Sequence, residues 1–106
     1  MDIATNPRKT LGILRRTFPN CFNPKRRRPL KIGITDDAAR ILAPVVTRDE
    51  IVAALAHYTQ SATYLRCLRA GAPRVDLGGN AAGIVSSPQA AHAEWRFWQA
   101  RRGATQ

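Results

Sequence analysis

The sequence predicts a single α+β domain, mostly helical, with one small β-hairpin. Three observations lead there. The chain has 106 residues, enough for one compact domain and too few for two. Apolar residues recur at helical spacing in several separate stretches. One glycine-rich turn, Gly78-Gly79-Asn80, separates two short runs of strand-forming residues. With 44% hydrophobic and 23% charged residues, the chain can bury a core without disulfide or metal staples.

The elements follow in order. Arg8 to Phe18 reads as a helix, because Leu11, Leu14 and Phe18 share one face while Arg8, Lys9, Arg15 and Arg16 take the other. Pro29 to Ile34 alternates Leu30, Ile32 and Ile34, which predicts a short extended segment. A helix is expected from Asp36 to Leu42, stopping before Pro44. Thr47-Arg48-Asp49-Glu50 is a capping box, in which Thr47 accepts from the first turn and Glu50 reaches back. Ile51, Leu55 and Tyr58 continue that helix for about three turns. Thr59 or Ser61 can cap a second helix running to about Arg69, with Tyr64, Leu65 and Leu68 as its apolar stripe. Gly71-Ala72-Pro73 ends it. Arg74 to Leu77 and Gly83 to Val85 are the hairpin strands around residues 78–82. Ser87-Pro88 opens the last helix, with Ser87 as cap, Ala91, Trp95 and Trp98 inward, and fraying through Arg101 to Gly103. Residues 1–7 read as a flexible N-terminus, 8–98 as the folded domain and 99–106 as a basic tail.

Charge is the unusual quantity. Seventeen Lys and Arg face seven Asp and Glu, a formal net charge of +10. Such an imbalance repels itself, so a polyanion is the expected partner: RNA, DNA or an anionic membrane surface. A generally solubilising basic surface is the alternative. Arginine dominates, with Lys9, Lys25 and Lys31 the only lysines. Its planar guanidinium can fork onto phosphate or stack on a base, which favours nucleic acid. No apolar run approaches the roughly 20 residues that span a bilayer. Residues 1–7 lack the apolar core of a secretory signal, so a cytoplasmic protein is expected. Cys21 and Cys67 stand far apart with no metal-ligand spacing and read as reduced thiols, although spacing alone leaves a disulfide open.

The densest basic run, Lys25-Arg26-Arg27-Arg28, is bracketed by Pro24 and Pro29 and reads as an exposed loop. Phosphate contact and a nuclear-localisation signal are its two readings. Catalytic motifs are missing: there is no GxSxG, HExxH or GxxxxGK[ST]. Asp36-Asp37 and Asp49-Glu50 sit near helix starts, where they complement the macrodipole. His57 and His92 read as surface or helix-packing residues. The expectation is therefore a non-enzymatic protein with no cofactor, metal or small-molecule substrate. Trp95 and Trp98 can stack on bases, but their helical spacing favours packing. Tyr58 and Tyr64 can pack a ring while the hydroxyl reaches a phosphate or a ribose. The Thr59-Gln60-Ser61 turn opens a helix, whose N–H groups make an anion site. Arg74 can reach the space nearby or pair with Asp76.

Taken together, Phe18-Pro19-x-Cys21-Phe22, Pro29-Leu30-Lys31-Ile32-Gly33-Ile34, Ala54-Leu55-x-x-Tyr58-Thr59, Tyr64-Leu65, Gly71-Ala72, Arg74-Val75-Asp76-Leu77 and His92-Ala93 resemble the ProQ/FinO domain in order and spacing. The resemblance covers roughly residues 8–98. It implies a bacterial RNA chaperone that binds structured small RNAs and mRNA 3′ ends, favouring terminator hairpins with a U-rich tail. Such proteins protect the 3′ end and promote RNA–RNA pairing. Carried over, the basic RNA-backbone positions fall on Lys31 and Arg48, and Lys25 to Arg28 would add affinity. The 3′-end pocket falls on Tyr58, Thr59, Gln60, Ser61, Tyr64 and Arg74. Two departures stand out: Ala56-His57 where relatives often carry a basic or larger residue, and Gly78-Gly79 where Asp-Gly is usual, which would loosen the turn. With no sign of an extra C-terminal domain, a minimal, monomeric version is expected.

Overall fold

A computed structural model of the chain describes residues 6–104. Five helices and a two-stranded antiparallel sheet build a flattened body of 36 × 36 × 22 Å. Helix α1 spans Pro7–Thr17 and begins one residue earlier than expected, because the Asn6 side chain accepts from the Arg8 and Lys9 amides and Pro7 fits the first turn. Asn6 and Pro7 thus belong to the helix start, and only residues 1–5 of the expected flexible segment lie outside the described residues.

Helix α2 spans Ile34–Leu42, so the expected extended segment stops short of Ile34. Gly33 adopts the left-handed conformation (φ 90°) and turns the chain into the helix. Leu30 and Ile34 remain buried, but the turn swings Ile32 outward to 69% exposure. What survives of the strand is one parallel bridge from Leu30 to Val75.

Helix α3, Arg48–Thr59, opens on the Thr47–Glu50 capping box, with both of its hydrogen bonds formed. Helix α4, Ala62–Cys67, is capped by Ser61 and not by Thr59, whose hydroxyl donates back to the Leu55 carbonyl (2.8 Å). Strands β1, Pro73–Val75, and β2, Ala81–Ile84, form the hairpin, each starting one or two residues earlier than expected. The turn is pinned rather than loosened. One carboxylate oxygen of Asp76 accepts from the Gly78 and Asn80 amides. Gly79 sits at φ 84°, so close to Asn20 that a Cβ there would lie 2.9 Å from the Asn20 backbone oxygen.

Helix α5 spans Ser87–Ala104. Its cap lies one residue before the expected Ser87: the Ser86 hydroxyl accepts the Gln89 amide while the Gln89 side chain accepts the Ser86 amide. The helix does not fray at Arg101, in keeping with the helix-favouring Ala, Gln and Arg of its last turns. Its inward residue is Ala93, whereas Trp95 (59%) and Trp98 (56%) face solvent. The expectation that Ala91, Trp95 and Trp98 face inward is therefore wrong, since all three are exposed. A helix resting on one short neighbour offers a narrow contact stripe, which small alanines fill.

The core lies between α1 and α3, where Leu11, Leu14 and Phe18 meet Ile51, Ala54, Leu55 and Tyr58, with Cys21 and Phe22 from the following loop. Cys21 and Cys67 are free thiols. Burial pushes Cys21 up to about 12 and Cys67 up to about 11, which keeps both protonated and unreactive.

Candidate nucleic-acid interface

The residues singled out in the sequence gather around the backbone of Leu30. Its N–H donates to the Tyr64 hydroxyl (3.0 Å) and its carbonyl accepts from Arg74 Nη1 (2.8 Å). The same short segment is tied to β1 by Lys31 N–H to Val75 O and Val75 N–H to Pro29 O (2.9 and 2.8 Å). Chain segments far apart in sequence are thus fixed to one another by the two side chains themselves. An open cleft of ≈ 360 Å³ lies against this junction, lined by Lys31, Ile32, Val52, Thr59, Tyr64 and Arg74, with Ala56 among its remaining walls.

Arg74 is the unusual member. It is only 9% exposed, and its second bond runs from Nη2 to Gln89 Oε1 (3.0 Å) at the start of α5. It does not pair with Asp76, whose carboxylate is engaged in the hairpin turn. Both hydrogen-bond acceptors of Arg74 are neutral, and its Nε has no protein partner. A buried cation without a counter-charge is costly, so the cleft wall carries an uncompensated positive charge. Tyr64 shares the wall. Its oxygen accepts from Leu30, which leaves its own O–H proton available to donate, and burial raises its phenol above the usual range.

Tyr58 does not line the cleft. It is 1% exposed and backs Tyr64 (ring centroids 5.5 Å apart) while meeting Phe22 edge-on at 5.4 Å. Its hydroxyl has no partner, and burial pushes it up to about 12 against the opposing pull of Arg27. Ser61 is likewise engaged. Its hydroxyl donates to the Tyr58 carbonyl (2.8 Å), caps the Tyr64 amide (3.2 Å) and receives Arg27 Nη1 (3.3 Å). With one N–H already capped and only six residues behind it, the α4 start is a weaker anion site than the sequence suggested. Gln60 is exposed at the turn between α3 and α4.

The basic positions divide. Lys31 reaches the cleft but pairs with Asp37 (2.6 Å), and that hydrogen bond holds the Asp37 carboxyl below its usual range. Arg48 pairs with Asp36 and does not line the cleft. Within the loop, Lys25 and Arg26 are exposed as expected. Arg27 and Arg28 are not: Arg27 lies over the Tyr58 ring, 4.8 Å from its centroid, and Arg28 donates to the Asn20 carbonyl. An arginine can pack its flat face on an aromatic ring, which the expectation of a fully solvated run overlooked.

Gln89 and the Leu30 backbone are the parts of the site that sequence reasoning missed. The Ser86-x-x-Gln89 capping signature was the available signal for Gln89. Among the described residues, no cluster of three His, Cys, Asp or Glu could hold a metal ion, and no helix is long and apolar enough to cross a membrane.

Comparison with known proteins agrees with this architecture. The sequence profile of the ProQ/FINO family matches residues 4–106. The chain is 41% identical over 92 residues to the RNA chaperone ProQ of Shewanella pealeana, covering 84% of this chain and 43% of that one. It is 38% identical over 100 residues to the RNA chaperone ProQ of Histophilus somni, covering 92% and 47%. The chain thus spans about half the length of these curated relatives. The solution structure of a ProQ homolog from Legionella pneumophila superposes with a TM-score of 0.75 at 28% identity, covering 93% of this chain and 87% of that one. The crystal structure of a FinO-like RNA chaperone from Neisseria meningitidis gives 0.71 at 26% identity, covering 83% and 89%. On the profile match and these identities, the chain belongs to the ProQ/FINO family.

Proposed function

We propose that this protein binds RNA as a chaperone, without catalysis or cofactor, and that the Tyr64–Arg74 cleft receives the 3′ end of a structured RNA. The observation that carries the reading is Arg74, a nearly buried guanidinium in a cleft wall with only neutral hydrogen-bond acceptors. A phosphate or a ribose edge supplies the missing acceptors, and the free proton of Tyr64 supplies a donor. Relatives named RNA chaperones favour RNA over DNA as the source of that phosphate. The preferred ligand is a terminator hairpin of a small RNA or mRNA, followed by a short U-rich tail. The stem is gripped by shape through its phosphates, with Lys31, Arg48, Lys25 and Arg26 as contacts, because the A-form major groove hides its base edges. Arg27 and Tyr58 back the Tyr64 wall, Thr59 lines the cleft, and Gln60 and Ser61 follow it in the turn that opens α4. Binding shields the 3′ end and favours pairing with a second RNA, in a cytoplasmic, monomeric protein.

Arg74→Ala tests the cleft. Affinity for a hairpin with a free 3′ tail should drop about a hundredfold, as when one partner of a buried charged contact is truncated. The far-ultraviolet circular dichroism should stay native. Unchanged affinity with a native spectrum overturns the reading. Phosphorylating the 3′ end should weaken wild-type binding, and a DNA duplex of equal length should compete poorly.

A further inference from the structure

The cleft leaves the exposed aromatic face of α5 unexplained. Along α5, Trp95 and Trp98 stand more than half exposed, and His92 stacks on Trp95 with ring centroids 6.0 Å apart and planes 23° apart. Arg101 lies over the rings of Phe97 and Trp98, at 5.7 and 6.0 Å. A groove of ≈ 410 Å³ runs between α4 and this aromatic row, bordered by Leu65, Leu68, Phe97 and Trp98. Arg66 and Arg69 stand on its α4 side and Arg101 and Arg102 on α5, all four exposed, against a single acid, Glu94. The surface begins beside the cleft, since Gln89 in the first turn of α5 holds Arg74.

We propose that this face of α5 is a second RNA-contact surface, which takes an unpaired strand by stacking its bases on Trp95 and Trp98. The proposal rests on the RNA-binding reading above and adds a site to it. Exposed indoles on a rigid helix offer flat platforms to any base, and the flanking guanidiniums follow the phosphates of the strand. Charge decides the occupant. A second copy of the chain would bring the same arginines against each other across a two-fold contact, whereas a polyanion is drawn to them. A chaperone that holds one RNA by its 3′ end needs another place for a strand that is to pair, and this surface provides it.

Trp95 and Trp98 are the only tryptophans in the chain, so fluorescence excited at wavelengths where tyrosine does not absorb reports on this surface. The probe is an oligouridylate of about ten nucleotides, within the usual span of a single-strand site, with a 3′ phosphate to bar it from the cleft. It should quench the tryptophans of the full chain, and those of Arg74→Ala equally. Joint replacement Trp95→Ala and Trp98→Ala should weaken oligonucleotide binding roughly tenfold or more by anisotropy, while joint replacement by Phe should keep most of it. Neither change should affect the circular dichroism or the affinity for a hairpin with only a short 3′ tail. If that hairpin binds tightly while the oligonucleotide neither quenches nor depends on the indoles, this proposal fails and the cleft reading stands. Loss of hairpin binding by the wild-type protein would instead sink the cleft reading. Two other results overturn the second surface: phosphatidylglycerol vesicles shifting the tryptophan emission where RNA does not, or a dimer that dissociates when the indoles are removed.

Discussion

In the cleft wall, Tyr64 and Arg74 are held on the backbone of Leu30, buried and fixed before any ligand arrives. A few residues upstream, Lys25 and Arg26 carry charge of the same sign on exposed side chains in a loop. The first region spends folding energy on the placement of one cation; the second spends almost none and gains only attraction. Fixed donors select a geometry, whereas mobile charges raise affinity for any polyanion and are screened by salt. Arg27 and Arg28 lie between the two, half-buried against Tyr58 and Asn20, and join the loop to the frame.

Four changes should separate these regions, in order of decreasing effect. Tyr64→Ala removes a buried ring together with the acceptor of the Leu30 amide, and should cost about 3–5 kcal/mol in a urea melt. Should it cost under about 1 kcal/mol, the wall is not the rigid element described. Alkaline pH attacks the same frame. The folded chain keeps the Cys21 proton up to about 12, but an unfolded chain releases it near 9.0. The folded form thus binds more protons between those values, so stability is full below pH 9 and falls as pH rises towards 12, with Cys67 and Tyr58 adding to the loss. Thermal melts across that range should show it, and Cys21→Ala should make the fall shallower while Cys67 keeps part of it.

Ser61→Ala removes the α4 cap and the Arg27 contact, and should cost about 1 kcal/mol. Releasing Arg27 should leave hairpin affinity nearly unchanged if that side chain only braces Tyr58. Joint replacement Lys25→Ala and Arg26→Ala should alter stability by less than about 0.5 kcal/mol. It should also make the dependence of log K on log salt shallower by about 1 per residue, with no loss of preference for the free 3′ end. A lost preference would place selectivity in the loop and dissolve the contrast.

Much of this was legible in the sequence. Periodicity marked α1, α3 and α4, the Pro44 stop marked α2, a Ser-Pro opening marked α5, and the Thr47–Glu50 capping box fixed the α3 start. Tyr64 and Arg74 were open candidates on residue type and position, and the resemblance to the ProQ/FinO domain brought them forward. What was hidden depended on contacts between distant segments. Nothing local says that Arg74 bonds the Leu30 carbonyl rather than Asp76, because that choice is made by a parallel bridge across the fold. Helical spacing placed Trp95 and Trp98 on one face but could not say which face is covered, since among the described residues α4 is the one helix that packs against α5. The solvated run of arginines failed at Arg27 for the same reason: its partner, Tyr58, comes thirty-one positions later.

The two peptide units that flank Leu30 lie where the cleft, the parallel bridge and the start of α5 converge. A ligand that pulls on the Tyr64 hydroxyl polarises the Pro29–Leu30 peptide through its N–H, and one that pulls on the Arg74 guanidinium polarises the adjoining Leu30–Lys31 peptide through its C=O. The Leu30 amide resonance is therefore a built-in spectroscopic probe. Its nitrogen and proton shifts should follow occupancy of the cleft, and stay still while a strand settles on the tryptophans of α5.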